Sequence, residues 1–322
     1  MEFYFGRRIY LANWPRYIMN EKELIRIIKL NLNSEYIGDD CAYLKDLGIV
    51  VSQDSLVEDI HFRLDLITPF QLGYKSVMVN VSDICASGAE PKYLTVALSL
   101  PNYVDEKFVE EFYKGAKAAA GDMKIVGGDL TGSDKLFISV TAIGSDKNRK
   151  ISSRSNAKIG YKIVVSGEHG NSAMGLKLLL DRKKDNANSK FINAHLMPVA
   201  EREISKKIAQ NIDFDYAMMD TSDGLADALI QIANASGVKV KVDTSKIPHD
   251  KDVDMQTVLY GGEDYKLVAA IPRDFLSDEK KLIQIGEIVE GEVGLEIDGE
   301  FYQDIDDKLF NHFREQNKWN LK

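Results

Sequence analysis

Ser76-Val77-Met78-Val79-Asn80-Val81-Ser82-Asp83-Ile84-Cys85-Ala86-Ser87 reads at helical spacing as a segment with two characters. Val77, Val81, Ile84 and Gly88 form an apolar stripe flanked by Met78 and Cys85, as in a core helix. Ser76, Asn80, Asp83 and Ser87 recur at i, i+4, i+7 and i+11 and form a polar stripe. A carboxylate inside a core needs partners, because an unpaired buried charge is costly. Either neighbouring side chains satisfy Asp83 in a purely structural stripe, or a cation and a polar ligand sit against it. The choice turns on how many other acids stand at the ends of apolar segments.

Working outward, the helix is predicted from about Phe70 to Ser87, stopped by Gly88 and Pro91. Upstream, Ile49, Val50 and Val51 make a strand with Asp54 at its C-terminal end. Before it, Ile37-Gly38-Asp39-Asp40-Cys41-Ala42 turns into a strand. Adjacent aspartates on an extended chain point to opposite sides, so only one need face a site. Downstream come a strand over 93–100 and a helix over 106–120 capped by Asp105. A short strand, Lys124-Ile125-Val126, then runs into Gly127-Gly128-Asp129, where glycines let a ligand approach the backbone. Another strand covers 136–143.

The polar, basic stretch 146–160 reads as a domain junction. Beyond it, strands are expected at 162–165, 216–220, 238–242 and 265–271, and helices at 173–180, 201–211, 225–235 and 255–260. A solvated loop is expected at 181–190, a hairpin around Asp298-Gly299 and a short closing helix at 308–313. The chain therefore divides into 1–20, 21–148 and 149–322. Residues 1–20 fit no element; the first eighteen read as a dispensable extension, or as sequence upstream of a true start at Met19.

With 322 residues, the chain has length for two domains with real cores. No run of eighteen apolar residues exists to span a membrane, and the N-terminus is a poor signal peptide. Two cysteines, Cys41 and Cys85, make no disulfide framework, which points to a reducing, cytoplasmic setting; each reads as a small buried hydrophobe. A net charge of −9 argues against a nucleic-acid backbone partner.

Asp39, Asp54, Asp129, Asp220 and Glu263 each stand at the end of an apolar element beside a small residue, and Asp83 makes a sixth. If they converge, each pair at about 5 Å repels by roughly 3 kcal/mol at an effective dielectric near 20, so cations are needed to gather them. An all-oxygen donor set without a His/Cys cluster suits Mg²⁺ rather than Zn²⁺. Magnesium held this way commonly completes its shell with water and phosphate oxygens, which points to nucleotide-dependent phosphoryl transfer. The P-loop, the dinucleotide fingerprint and the protein-kinase signatures are absent, and nothing resembles a nucleophilic triad.

In order along the chain, Ile37-Gly38-Asp39-Asp40-Cys41-Ala42, Ser52-Gln53-Asp54 through His61-Phe62, Val79-Asn80-Val81-Ser82-Asp83 through Pro91, Gly127-Gly128-Asp129, Asp220-Thr221-Ser222-Asp223-Gly224-Leu225 and Gly261-Gly262-Glu263-Asp264-Tyr265 resemble the thiamine-monophosphate kinase family. That family shares an ATP-binding superfamily with aminoimidazole ribonucleotide synthetase, selenophosphate synthetase and the hydrogenase-maturation dehydratase. The resemblance runs from about Glu21 to Phe313. It implies an α/β fold of the α+β type in two domains: an N-terminal ATP- and Mg²⁺-binding domain whose sheet pairs with its twin across a homodimer, and a larger C-terminal α/β domain completing the nucleotide and substrate site.

By position, the resemblance implies metal ligands at Asp39, Ser52, Asp54, Asp83, Asp129, Asp220 and Asp223, with the main chain of Gln53. It implies nucleotide contacts at Tyr113, Gly128, Asp129, Arg154 and Ser222, and a thiamine-phosphate site at His61, Glu263 and Phe310. Asp83 is the acid placed to face several Mg²⁺ ions, Asn80 is the neighbour placed to orient it, and Arg154 would share in stabilising charge. Gln53 stands where the family carries threonine, Asn156 and Tyr161 alter the surroundings of Arg154, and Glu201 replaces an arginine, with Arg202 one place on.

The implied reaction moves the γ-phosphoryl of ATP directly to the phosphate of thiamine monophosphate. That acceptor has a second pKa near ~6 and needs no general base, in keeping with a site rich in acids and poor in histidine. The alternatives are another ATP-dependent synthetase of the superfamily and a non-catalytic nucleotide-sensing module.

Overall fold

The computed structural model describes residues 21–183, 188–273, 275 and 281–309. Residues 1–20, Phe310 and the expected closing helix beyond Leu309 lie outside them. Two mixed sheets organise the rest. After helix α1 (Glu21–Leu32), the first sheet has five strands in the order β1-β2-β5-β3-β4: β1 (Ala42–Leu44), β2 (Ile49–Val57), β3 (Glu90–Leu100), β4 (Lys124–Gly132) and β5 (Phe137–Ser145). Only β3 and β4 pair in parallel. Helices α2 (Pro69–Ala86) and α3 (Glu106–Ala120) pack beside this sheet.

The second sheet has seven strands in the order β12-β11-β8-β10-β6-β9-β7. They are β6 (Lys162–Val165), β7 (Ala217–Asp220), β8 (Lys239–Val242), β9 (Leu267–Ile271), β10 (Ile283–Val289), β11 (Gly294–Ile297) and β12 (Glu300–Tyr302). Helices α4 (Asn171–Leu180), α5 (Ser189–Leu196), α6 (Arg202–Asn211), α7 (Leu225–Ser236) and α8 (Met255–Tyr260) accompany it. The hairpin expected around Asp298-Gly299 joins β11 to β12, with Asp298 at φ 50° and Gly299 at φ 90°, the positive values a tight two-residue turn demands.

Helix α2 is the core helix its pattern predicts. Thr68 and Gln71 close a capping box: Gln71 N donates to Thr68 Oγ1 at 3.3 Å and Thr68 N to Gln71 Oε1 at 3.0 Å, with Pro69 at the first turn. Val77, Val81 and Ile84 are fully buried. Two members of the polar stripe are satisfied within the helix: Ser76 Oγ donates to Leu72 O at 2.7 Å and Ser87 Oγ to Ile84 O at 2.8 Å. The far side of α2 meets the second half of the chain, where Ser205 Oγ on α6 donates to Cys85 O at 2.6 Å. β7 and α5 also meet that side.

Helices α2 and α3 approach through two glycines. A Cβ on Gly73 would lie 1.9 Å from Phe112 O, and one on Gly115 would lie 1.8 Å from Phe70 O. Both are closer than any side-chain carbon can come, so the backbones meet where only hydrogen fits.

Strand extents differ from expectation in one respect that bears on the site. β2 does not stop at Asp54; it pairs with β5 from Ile49↔Ser145 to Val57↔Phe137, so Asp54 sits mid-strand opposite Val140. Asp129 likewise lies inside β4, opposite Ala97. Ladder hydrogen bonds to a long neighbour carry each strand on through polar residues where the apolar run has ended. β4 is an edge strand, and Val126 and Leu130 are 57% and 65% exposed on it. α5 and β10 were not legible as elements; α5 is only eight residues long, and β10 is interrupted by a register shift between Gln284 and Gly286.

Candidate active site

A cavity of about 510 Å³ opens where α2, β2, the segment before β1 and the loop after β7 converge. Asp39, Asp40, Ser52, Asp54, Asp83 and Asp223 line it, together with Gln53, Arg154 and Ser222. Asp220, 1% exposed, lies beside Asp40 and Asp83. The acids come from elements far apart in sequence; of the six singled out there, Asp39, Asp54 and Asp83 line the cavity, and Asp129 and Glu263 do not.

Asp83 is carried by α2. Ser52 Oγ donates to its Oδ2 at 2.5 Å. Asn80, expected to orient Asp83, bonds elsewhere. Its Oδ1 accepts the Asp54 amide at 2.7 Å and its Nδ2 donates to Ser76 O at 2.9 Å. Asn80 therefore fixes β2 against α2 at the residue where a second acid enters the cavity. One turn of helix separates Asn80 from Asp83, but the nearest acceptor-seeking amide is on the strand.

The Asp39-Asp40 pair also departs from the alternation argument, because both residues line the cavity. The backbone is not extended there: Gly38 has φ 126° and β1 begins only at Ala42. Asp39 Oδ2 accepts the Arg154 amide at 3.2 Å. Asp40, missed from sequence as a site residue, enters the central cluster: Asp40, Asp83 and Asp220 each offer an oxygen, all within 4.8 Å of one another. Arg154 Nη2 donates to Asp40 Oδ1 at 2.5 Å. Ser82 Oγ donates to Asp220 Oδ2. Asp40 Oδ2 and Asp220 Oδ1 are buried without a hydrogen-bond partner.

Electrostatics describe the same deficit. Burial pushes the Asp83 carboxyl well up, with Asp54 and Asp220 adding to it. Burial, then the charge of Asp40, pushes Asp220 up to about 8. Burial, then Asp227, pushes Asp223 up to about 7. Asp40 is raised by burial even though Arg154 opposes it. Burial opposes the charge on Arg154, but Asp40 more than offsets it and holds the guanidinium protonated. Buried oxygens without partners, and acids forced toward protonation by one another, are what a cation would relieve. The all-oxygen donor set fits a hard divalent ion.

Asp227 and Gln231 were also missed. Arg154 Nη1 donates to Gln231 Oε1 and Gln231 Nε2 to Asp227 Oδ2. Asp223, Asp227 and Gln231 are spaced i, i+4, i+8 into α7, a periodicity that was available in the sequence. The Gln53 side chain is engaged along the sheet, donating to Ser139 Oγ at 3.1 Å and accepting from Thr141 Oγ1 at 3.2 Å.

Other expected residues lie elsewhere. Tyr113 packs edge-on to Phe112, ring centroids 5.5 Å apart, at the margin of the first core. Gly128 and Asp129 are on the β4 edge strand, not among the residues lining the cavity. Of the two glycines expected to let a ligand approach, Gly127 faces open space, with nothing within 4 Å of a Cβ placed there, whereas a Cβ on Gly128 would lie 1.8 Å from Val96 O. His61 Nδ1 accepts the Val57 amide at 3.0 Å, which leaves Nε2 as the protonated ring nitrogen of the neutral form. Glu263, at φ 68°, donates its amide to Ser222 O at 2.7 Å, so its loop is seated on the Ser222-Asp223 turn. Its carboxylate meets two residues not singled out from sequence, Lys75 Nζ at 3.2 Å and His195 Nδ1 at 3.3 Å. Cys41 Sγ donates to Asp83 O at 3.2 Å, and burial pushes its thiol well up, so it is an inert packing residue.

Two mixed sheets flank the acid-lined cleft. Residues 38–145 match the family model described as AIR synthase related protein, N-terminal domain. The fold is shared with hydrogenase maturation protein HypE in complex with ATP, at TM-score 0.62 and 22% identity over 87% of this chain and 92% of that one. The chain is 34% identical over 311 residues to the thiamine-monophosphate kinase of Aquifex aeolicus (strain VF5), covering 92% of this chain and 98% of the relative. It is 36% identical over 254 residues to that of Bacillus subtilis (strain 168), covering 74% and 78%. The solved structure of AaThiL complexed with AMPPCP and TMP superposes at TM-score 0.83 with 32% identity, covering 94% and 98%. The chain belongs to the thiamine-monophosphate kinase family.

Proposed function

We propose that this protein phosphorylates thiamine monophosphate to thiamine diphosphate with ATP, by direct in-line transfer of the γ-phosphoryl group. The observation that carries the mechanism is the Asp40–Asp83–Asp220 cluster, in which Asp40 Oδ2 and Asp220 Oδ1 are buried without partners, beside a cavity that Asp40, Asp83 and Arg154 line. Mg²⁺ would be held by Asp39, Asp40, Ser52, the Gln53 main chain, Asp54, Asp83, Asp220 and Asp223, and would supply charge neutralisation between two phosphate groups. The protein's own task is positioning. Arg154, braced by Asp40 and Gln231, presents a fixed positive charge to the nucleotide, and Ser222 lines the same cavity. No side chain need remove a proton, because the acceptor is already an oxyanion at neutral pH.

His61, Glu263 and Phe310 are the residues proposed for the thiamine moiety. The exposed edge and apolar residues of β4 support a homodimer, since an uncovered edge strand invites pairing. In that dimer Tyr113, Gly128 and Asp129 would serve nucleotide and metal from the β4 side rather than from this cavity. Among the described residues no helix is long and apolar enough to cross a membrane.

Incubation with ATP, Mg²⁺ and thiamine monophosphate is expected to yield ADP and thiamine diphosphate. Free thiamine should give no product, and radiolabelled ATP alone should leave no label on the protein. Absence of thiamine diphosphate would sink the activity, whereas a trapped phosphoprotein on the catalytic path would sink direct transfer alone.

The acid cluster makes a second prediction, for metal removal. In the folded, metal-free protein Asp220 titrates near about 8 and Asp223 near about 7, against about 3.9 for an unfolded aspartate. Folded protein thus holds protons that unfolded chain releases. The stability this confers is full below about pH 4 and is lost as pH rises toward 8. In chelator, the melting temperature should fall between pH 5.5 and 8, and Mg²⁺ should raise it more at pH 8 than at pH 5.5, each pH being approximate. Equal metal-induced shifts at both pH values, measured by differential scanning fluorimetry, would count against a metal on these acids.

A further inference from the structure

Lys75 is a lysine in the middle of the core helix, 1% exposed. Its ammonium has two partners from the second half of the chain: the Glu263 carboxylate at 3.2 Å and His195 O on α5 at 3.0 Å. The other Glu263 oxygen lies 3.3 Å from His195 Nδ1, which is itself 3.1 Å from Ser172 Oγ at the start of α4. Such a group is kept buried only when its charge is matched, and removal of one member leaves the other uncompensated. Glu263 also holds a left-handed backbone, φ 68°, as does Tyr265 two residues on at φ 52°. That conformation is uncommon outside glycine and persists when the surroundings fix it. Here the fixing contacts are the Ser222 carbonyl on the backbone and Lys75 and His195 on the side chain.

The same helix carries the acid side of the site. Asp83 stands eight residues beyond Lys75 on α2, and Asn80 between them holds the Asp54 amide. One rigid element thus sets the position of the central acid and of the Glu263 carboxylate together. Glu263 remains 17% exposed and lies close enough to Asp223 for its charge to raise that acid.

We infer that Lys75 is a positioning residue for the acceptor: its buried ammonium fixes the Glu263 carboxylate at a set place relative to the Asp83 acid cluster, so that thiamine monophosphate is held in register with the transferred phosphoryl group. The inference rests on the proposed role of Glu263 in the thiamine-phosphate site. Lys75 itself touches neither phosphate nor nucleotide in this scheme.

The test is steady-state kinetics on the full chain with Glu263→Gln, Lys75→Met, Lys75→Arg and the double variant Lys75→Met/Glu263→Gln. Lys75→Met is expected to raise KM for thiamine monophosphate by about tenfold or more while KM for ATP stays within about twofold. Lys75→Arg should recover part of the loss, because it keeps the charge. The double variant, which removes both charges, should match Glu263→Gln alone, since Lys75 acts through that carboxylate. It also provides a folded comparison should Lys75→Met fail to fold. If Glu263→Gln leaves KM for thiamine monophosphate unchanged, the Glu263 reading fails. If Glu263→Gln raises it but Lys75→Met does not, or the two effects multiply in the double variant, the inference about Lys75 is overturned and the Glu263 reading stands.

Discussion

Asp83→Asn is expected to lower kcat by at least about a thousandfold while the protein remains folded. The substitution is isosteric and keeps an oxygen for Ser52 Oγ, which now sits 2.5 Å from Oδ2, so packing on α2 is undisturbed. What it removes is one negative charge from three carboxylates whose oxygens lie within 4.8 Å of one another. At that separation two charges repel by about 3 kcal/mol at an effective dielectric near 20. Metal-free Asp83→Asn protein should therefore melt no lower than the parent, and the stabilisation by Mg²⁺ should shrink sharply. Thermal melts with and without Mg²⁺, beside turnover assays, check both halves of the expectation. Near-normal kcat in a folded variant would reduce the polar stripe of α2 to a structural feature.

Gly115→Ala is expected to destabilise the protein by about 2–3 kcal/mol, through overpacking rather than through any change in charge. In an ordinary helix interior the change would be favourable by up to about 1 kcal/mol, because alanine is the better helix former. Here the added methyl would lie 1.8 Å from Phe70 O and 2.7 Å from Phe70 C, atoms of the first turn of α2 that no rotamer change can move aside. The helices must separate, and α2 carries Lys75, Asn80 and Asp83 with it. Catalysis should suffer along with stability, unlike the clean separation expected for Asp83→Asn. Chemical denaturation measures the effect; a variant within about 0.5 kcal/mol of the parent would show that the crossing of α2 and α3 can relax.

The sequence carried much of this in its periodicities. The two stripes of α2 were legible because helical spacing reports which residues share a face. It does not report what faces them, so the pairing of Asn80 with the Asp54 amide on β2 was out of reach. Asp54 and Asp129 were assigned to strand ends because polar residues interrupt the apolar run, whereas strand length is set by the ladder with β5 and β3. Asp40 was passed over because strict alternation assumes extended backbone, and Gly38 breaks that assumption just before it. Lys75 carries no local signal at all. A lysine in a helix reads as a solvated residue until the fold brings Glu263 and His195, 188 and 120 positions further on, to its ammonium.

The two-sided burial of α2 also bears on how the chain acquires its structure. Leu179, Leu196 and Ala200, all from the second half, complete the apolar cluster around the first sheet, while Ala86 at the end of α2 packs into a cluster with Val164 and Ile204. Neither cluster is closed by its own half. As the chain leaves the ribosome, its first 150 or so residues would present the side of α2 that carries Lys75, Ser82 and Cys85 to water, before its partners His195, Asp220 and Ser205 exist. Maturation therefore waits on β6, β7 and the helices between them, and the catalytic pocket and the last of the core come into being in the same step.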